Sequence, residues 1–233
     1  ARVFAVEGPY DMAFDLCGEA CAEYGWYNRN TGYNPYTREG KKSVSFEICE
    51  QLGWKVPDWV FVPVGDGNII SGVWKGFRDL KGVELIDRLP KLAACQSALS
   101  DAVAKAVLSD GKIRTVQATT IADSISVDLP RDGAAAVKAV QESKGTAVTA
   151  SDEEILQAII TIARGAGVFS EPAGATAYAC LEKARAAGKV KDGETVVCLV
   201  TGNGLKDVAS AMKVAGEPTP VAPRLESLRE ILS

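Results

Sequence analysis

Trp59-Val60-Phe61-Val62-Pro63-Val64-Gly65-Asp66-Gly67-Asn68-Ile69-Ile70-Ser71-Gly72 is the stretch on which the reading of this chain turns. It opens as an almost unbroken apolar run, the pattern of a strand buried on both faces, and closes in small and polar residues. A helical pattern then continues through Val73, Trp74 and Phe77. Glycines between such a strand and a helix let successive backbone N–H groups converge, and the positive end of the helix dipole points at the same spot. Gly65, Asp66, Gly67 and Asn68 therefore read as an anion cradle suited to a phosphate. The competing reading is that the glycines serve only to make a tight turn.

Outward from this stretch, buried strands and helices alternate. Lys91 to Gln96 reads as a strand, Asp101 to Leu108 and Gly133 to Glu142 as helices, and Gly145 to Thr149 as extended chain, with Thr119 to Leu129 irregular. Ser151-Asp152-Glu153-Glu154 is a capping-box pattern opening a helix, and Glu171-Pro172-Ala173-Gly174-Ala175 opens another that runs to Gly188. Thr195 to Thr201 reads as a second fully buried strand, ending in Thr201-Gly202-Asn203-Gly204. Towards the N-terminus, Arg2 to Val6 reads as a strand already under way, followed by a helix from about Pro9 to Gly25. Trp26 to Gly40 reads as loop and Lys41 to Leu52 as a helix. After Gly216 comes a proline-containing tail with a short amphipathic helix through Leu225, Leu228, Ile231 and Leu232. This alternation predicts an α/β fold with a mostly parallel, twisted sheet flanked by helices. Two strands ending in polar glycine turns predict a ligand site at their carboxyl ends.

Composition narrows the chemistry. The chain has 233 residues, 47% hydrophobic and 24% charged, with a net charge of −4, so no global basic field favours nucleic acid or an anionic membrane. No apolar run approaches the ~18 residues of a membrane-spanning helix. None of the six cysteines stands in CxxC spacing, which reads as buried thiols in a reducing, cytoplasmic compartment. There is no histidine, so a Ser-His-Asp triad, a Cys-His pair or a histidine-bearing metal site cannot be built from this chain. Proton transfer falls to Lys, Asp, Glu, Tyr, Cys or a cofactor.

Four segments between positions 34 and 207 carry a family resemblance. They are Asn34-Pro35-Tyr36 with Glu39-Gly40-Lys41, Val62 to Asn68 with Trp74-Lys75-Gly76-Phe77, Glu171 to Ala175, and Thr201-Gly202-Asn203-Gly204-Leu205-Lys206-Asp207. In this order they resemble the later portion of a fold type II pyridoxal-phosphate enzyme of the threonine synthase type. The resemblance implies pyridoxal 5'-phosphate as cofactor, held at its phosphate by Gly65 to Asn68. Thr201 would face the pyridine nitrogen, and Glu171 would lie near the ring or shape the pocket. A hydroxyl partner leaves that nitrogen largely unprotonated, a setting for elimination and replacement more than for transamination. The resemblance also implies a homodimer. It assigns residues 1–34 to a remnant of a smaller domain, 35–215 to the large cofactor-binding domain and 216–233 to the tail.

Three departures from the resemblance matter. The Ser-x-Lys-x-Arg type segment that bears the Schiff-base lysine has no counterpart here, so the chain reads as the later part of a longer one, or as a non-catalytic fragment. Asp66 stands where relatives commonly carry asparagine in a longer loop, and a carboxylate there repels a phosphate unless it turns away or bonds a backbone N–H. Relatives usually place an arginine for the substrate's phosphate two residues before the glutamate of the Asn-Pro segment. Here that position is Thr37 and Arg38 follows, a shift that in extended chain turns the side chain to the other face. Asn34, Arg38 and Asn68 are the candidate substrate contacts. The implied reaction makes L-threonine from O-phospho-L-homoserine and water, by proton removal at Cα and Cβ, loss of phosphate and addition of water at Cβ. A serine/threonine dehydratase or diamino acid lyase is the alternative.

Overall fold

In a computed structural model, residues 1–232 are described. Four parallel strands run in the order β3-β2-β1-β4, where β1 is Trp59–Pro63, β2 Lys91–Ser97, β3 Thr146–Ala150 and β4 Val196–Cys198. Strand β1 is buried along its whole length, as its apolar run requires. Its side chains alternate between two cores. Val60 and Val62 join helices α3 (Ser43–Gln51), α4 (Asn68–Gly82), α5 (Ala102–Val107) and α6 (Gly133–Glu142) on one face. Trp59 and Phe61 join α7 (Asp152–Ala166) and α8 (Pro172–Ala186) on the other. Each large apolar side chain removed from water in this way stabilises the fold by about 1.5–3 kcal/mol.

The expected capping box at the head of α7 is present in both directions: Ser151 Oγ accepts from Glu154 N–H, and the Glu154 carboxylate accepts from Ser151 N–H. Gly25 ends α1 (Tyr10–Tyr24) in the left-handed conformation, which a glycine adopts without strain. The tail helix α10 (Leu225–Leu232) follows α9 (Val208–Ala215), and the leucines of α10 are exposed.

Three sequence expectations are corrected. Arg2 to Val6 form no strand; they are exposed, with no strand alongside to complete a ladder. Within the expected 26–40 loop, Pro35–Gly40 form a short helix, α2, with the Asn34 side chain accepting from Tyr36 N–H and proline in the first turn. The 195–201 segment is not a fully buried strand. Only Val196–Cys198 pair, at the sheet edge, and all three are half-buried. Of the six cysteines, all free, Cys49, Cys95 and Cys180 are buried and the other three half-buried.

The strand order places the site. The chain moves from β1 outward to β2 and β3, then returns to lay β4 on the other side of β1. The crevice between the carboxyl ends of β1 and β4 is thus where the direction of winding reverses, the usual ligand position in open α/β sheets.

Candidate active site

A cavity of about 420 Å³ opens at that crevice. Gly65 to Ile69 line one side; Thr201, Glu171, Ala173 and Lys206 line the other. Residues 123–127, which include a 3₁₀ turn at Asp123–Ile125, cover it, and Tyr10, Thr31 and Lys41 close the rim.

The first wall is made of backbone. Buried Gln96 fixes its start: Nε2 donates to Val64 C=O at 3.0 Å, and Oε1 accepts from Ala104 N–H at 2.8 Å. Past Val64 the chain turns through Gly67 at φ 92°, a left-handed conformation that glycine supplies cheaply. A methyl on Gly67 would stand 2.7 Å from Ala136 Cβ. The N–H groups of Gly65, Asp66 and Gly67 have no acceptor among the described residues. They stand at the head of α4, a 15-residue helix whose dipole favours an anion there.

The Asp66 carboxylate turns away from these N–H groups. Oδ1 accepts from Arg131 N–H at 3.0 Å and Oδ2 from the Tyr10 hydroxyl at 2.6 Å. Burial pushes the carboxyl above its ordinary value, against the pull of the Arg131 N–H and the Tyr10 hydroxyl. The Tyr10 hydroxyl is pushed up in turn, first by burial and then by its bond to Asp66. Arg131 also pairs with Asp11 and Asp15 and lies over the Phe14 ring, so α1 is fastened to the cradle.

Beneath the cradle, buried Asp132 gathers donors from three places. Arg38 pairs with it through Nη2 and donates Nε at 3.1 Å; Asn68 Nδ2 donates at 3.0 Å and Ser71 Oγ at 2.8 Å. The opposite orientation of the Asn68 amide would set its oxygen against the carboxylate, so Oδ1 is the free end. That buried oxygen has no donor among the described residues.

The second wall is made of side chains. Thr201 is exposed past the end of β4, and its hydroxyl makes no hydrogen bond among the described residues. Glu171 occupies the N-cap position of α8 but makes no capping bond. Its carboxylate instead pairs with Lys206 Nζ at 2.9 Å and lies directly on Gly202, where a Cβ would collide with it. Ser124 Oγ approaches the same carboxylate at 3.5 Å.

Of the residues singled out from sequence, Gly65, Asp66, Gly67, Asn68, Glu171 and Thr201 surround one cavity. Asn34 and Arg38 do not. Asn34 caps α2, donates to Tyr27 Oη at 2.7 Å and lines a separate aromatic cavity with Phe14 and Trp26. Arg38 is held by Asp132. The one-residue offset between Thr37 and Arg38 falls in a helix, so it turns the side chain by about 100°, not to the opposite face. Tyr10 and Ser124 lie outside the recognisable segments, and Lys41 and Lys206 lie within them without an assigned role, because tertiary approach and not local pattern brings all four to the cavity.

This site fits a phosphate monoester carrying a polar aromatic ring. Free N–H groups and a helix N-terminus receive the dianion, and a free hydroxyl stands across the crevice. Comparison with known proteins agrees. The chain is 37% identical to the threonine synthase of Methanocaldococcus jannaschii, over all of this chain and 58% of that protein. It is 39% identical to that of Mycobacterium bovis, over 96% of this chain and 61% of that one. The chain thus spans about three-fifths of the length of these relatives. Among solved structures, threonine synthase from Escherichia coli superposes with a TM-score of 0.74 at 18% identity, covering 98% of this chain and 57% of its own. Threonine deaminase isoform 2 from Solanum lycopersicum superposes with a TM-score of 0.70 at 22% identity, covering 85% and 55%. Residues 1–202 match the family described as pyridoxal-phosphate dependent enzyme, and the chain belongs to that family.

Proposed function

We propose that this chain forms the cofactor-binding part of a threonine synthase, converting O-phospho-L-homoserine and water to L-threonine and phosphate. The observation that carries the reading is the set of free N–H groups at Gly65, Asp66 and Gly67, facing the same cavity as Thr201 and Glu171. Whole-chain identity to proteins named threonine synthase supports it.

Bound there, pyridoxal phosphate supplies an electron sink for carbanion chemistry at the substrate's α-carbon. The chain's own residues have four tasks. The three N–H groups and the head of α4 hold the phosphate. Asp66 keeps its charge turned towards Arg131 and Tyr10, outside the cradle. The Thr201 hydroxyl offers the ring nitrogen a neutral partner, which fits elimination and replacement. Lys206 holds the Glu171 carboxylate against Gly202 and so fixes the turn that bears Thr201. No segment of the lysine-bearing kind stands in residues 1–233, so the proposal gives this chain the binding half of the site and not the bond to the cofactor's aldehyde. A cytoplasmic homodimer belongs to the same proposal. Among the described residues no helix is long and apolar enough to cross a membrane.

A second reading, a lyase acting on an unphosphorylated amino acid, is favoured by Thr37 in the place of arginine. Titrating the protein with pyridoxal phosphate and with pyridoxal, by absorbance, tests the cradle: the phosphorylated form should bind far more tightly, and equal binding rejects the assignment. With a lysine-bearing segment supplied, in a longer chain or as a separate one, products then separate the readings. Threonine and phosphate from O-phosphohomoserine support the first; ammonia and a keto acid from serine or threonine support the second.

A further inference from the structure

Arg38 does not line the cavity. It forks onto the buried carboxylate of Asp132, donating Nε to one oxygen at 3.1 Å and pairing through Nη2 with the other. Gly72 makes the approach possible: a Cβ there would stand 2.9 Å from Arg38 C=O, so glycine in α4 is what lets the backbone of α2 come this close.

Asp132 in turn grips the cradle at both ends. Its backbone N–H donates to Asp66 C=O at 2.9 Å. That carbonyl and the Gly67 N–H belong to one planar trans peptide and point in opposite directions, so the bond aims the Gly67 N–H away from Asp132 as an open donor. The Asp132 carboxylate accepts from Asn68 Nδ2 at 3.0 Å and from Ser71 Oγ at 2.8 Å, which pins the first turn of α4. Taking these donors together with the arginine fork requires a group that only accepts, with room for about four bonds; a carboxylate meets this and an amide does not. The same carboxylate works against the ligand. It lies buried beneath a cradle built for an anion, where its charge opposes that of a phosphate. Among the described residues, Arg38 is the one cation that ion-pairs with it.

We infer that Arg38 and Asp132 are a positioning pair for the cofactor's phosphate: Asp132 sets the direction of the cradle's donors, and Arg38 cancels the charge that this arrangement brings. The inference rests on the cofactor reading proposed above and moves Arg38 from the substrate to the cradle. Neither residue lines the cavity, so both act through the turn they hold.

The test compares affinity for pyridoxal phosphate with affinity for pyridoxal, by absorbance, in wild type, Arg38→Gln, Arg38→Lys and the double variant Arg38→Gln/Asp132→Asn. Arg38→Gln leaves the Asp132 charge uncancelled and should lower the preference for the phosphorylated form roughly tenfold, the effect of one poorly screened charge. Arg38→Lys keeps the charge and should keep most of the preference. The double variant removes both charges and should regain most of what Arg38→Gln loses, although it carries one more substitution. Stability in urea should fall and recover in the same order, since a buried carboxylate without its partner is destabilising. Where Arg38→Gln does not fold, Asp132→Asn reads the charge from the other side: the freed arginine should leave the preference higher than in the double variant, and an equal preference overturns the inference. A loss that the double variant deepens instead of reversing also overturns it. So does an equal loss of both ligands in Arg38→Gln, which marks a structural role only, and so does an intact preference with weaker binding of inorganic phosphate to the cofactor-loaded protein, which returns Arg38 to the substrate. Wild type that binds both ligands equally rejects the cofactor reading itself, whereas a wild-type preference that Arg38→Gln leaves intact rejects this inference alone.

Discussion

The two turns that face each other across the cavity are built on opposite principles. The Gly65–Asn68 turn ends a strand buried along its length, follows a carbonyl fixed by Gln96, and offers backbone N–H groups. The Thr201–Gly204 turn follows a three-residue edge strand, half-buried, and offers a side-chain hydroxyl one residue from Gly202, against which the Lys206-paired Glu171 carboxylate lies. Backbone donors cannot rotate away, so the first turn is rigid because the core is rigid. The second depends on an ion pair whose lysine side chain is 59% exposed and whose glutamate is 6% exposed, so solvent screens it from one side. A cofactor phosphate is a fixed dianion that rewards rigid donors. On the proposed function, a ring nitrogen would require only one partner, which the Thr201 side chain would supply.

The largest effect should come from breaking the first turn. Gly67→Ala imposes a left-handed backbone on a residue with a Cβ, and sets that Cβ 2.7 Å from Ala136 Cβ and 3.0 Å from Asp132 O. The strain and the overpacking together should cost about 2–4 kcal/mol of folding stability. Urea unfolding should show this as a lower midpoint, and pyridoxal phosphate binding should be lost. A variant that keeps wild-type stability would show that the cradle yields and that the two walls do not differ in rigidity.

Gly202→Ala tests the other wall. Its Cβ collides with the Glu171 carboxylate, the movable end of a side chain, which swings away and leaves Lys206. Stability should fall by about 1 kcal/mol or less, the scale of a half-exposed pair. Cofactor affinity should fall severalfold, and the cofactor's absorbance should shift as the Thr201 turn loosens. A stability loss equal to that of Gly67→Ala would erase the distinction between the walls.

What could be read in the sequence follows the same division. Strand β1, its turn and α4 were legible because burial on both faces writes a continuous apolar run and a helix start needs glycine and small residues. Helix α6 and the α7 capping box were legible for similarly local reasons. The edge position of β4 was not, because Thr195 to Thr201 is as apolar as a central strand, and only its place beside β1 leaves one side open. Helix α2 is hidden in the sequence although Asn34-Pro35 is a serviceable N-cap and first turn; six residues give too little periodicity to outweigh the surrounding Asn, Gly and Tyr. In the cavity, Gly65 to Asn68, Glu171 and Thr201 lie within recognisable segments. Lys206 stands in one too, but its pairing with Glu171 depends on a tertiary approach. Arg38 reads as a substrate contact in sequence because nothing local reveals Asp132, 94 positions away, as its partner.

The smallest effect, and the finest probe of the first wall, concerns Asp66. Its folded carboxyl titrates above the ordinary aspartate value of about 3.9, chiefly because burial disfavours the charge. Between that ordinary value and the raised one, the folded chain binds more protons than the unfolded chain. The contribution of Asp66 to stability is therefore fully present below the ordinary value and is lost as pH rises through the raised one. Asp66→Asn keeps an acceptor for the Arg131 N–H and does not titrate, so its stability relative to wild type should improve as pH rises through this window. A phosphate in the cradle adds negative charge near Asp66 and strengthens its hold on a proton. Phosphate affinity of the cofactor-free protein should then decline with pH more steeply in wild type than in Asp66→Asn. The phosphate's own ionisation is common to both proteins and cancels in the ratio of their affinities. A ratio that stays flat with pH would mean that Arg131 and Tyr10 already neutralise the carboxylate, and that the cradle is indifferent to the acid at its centre.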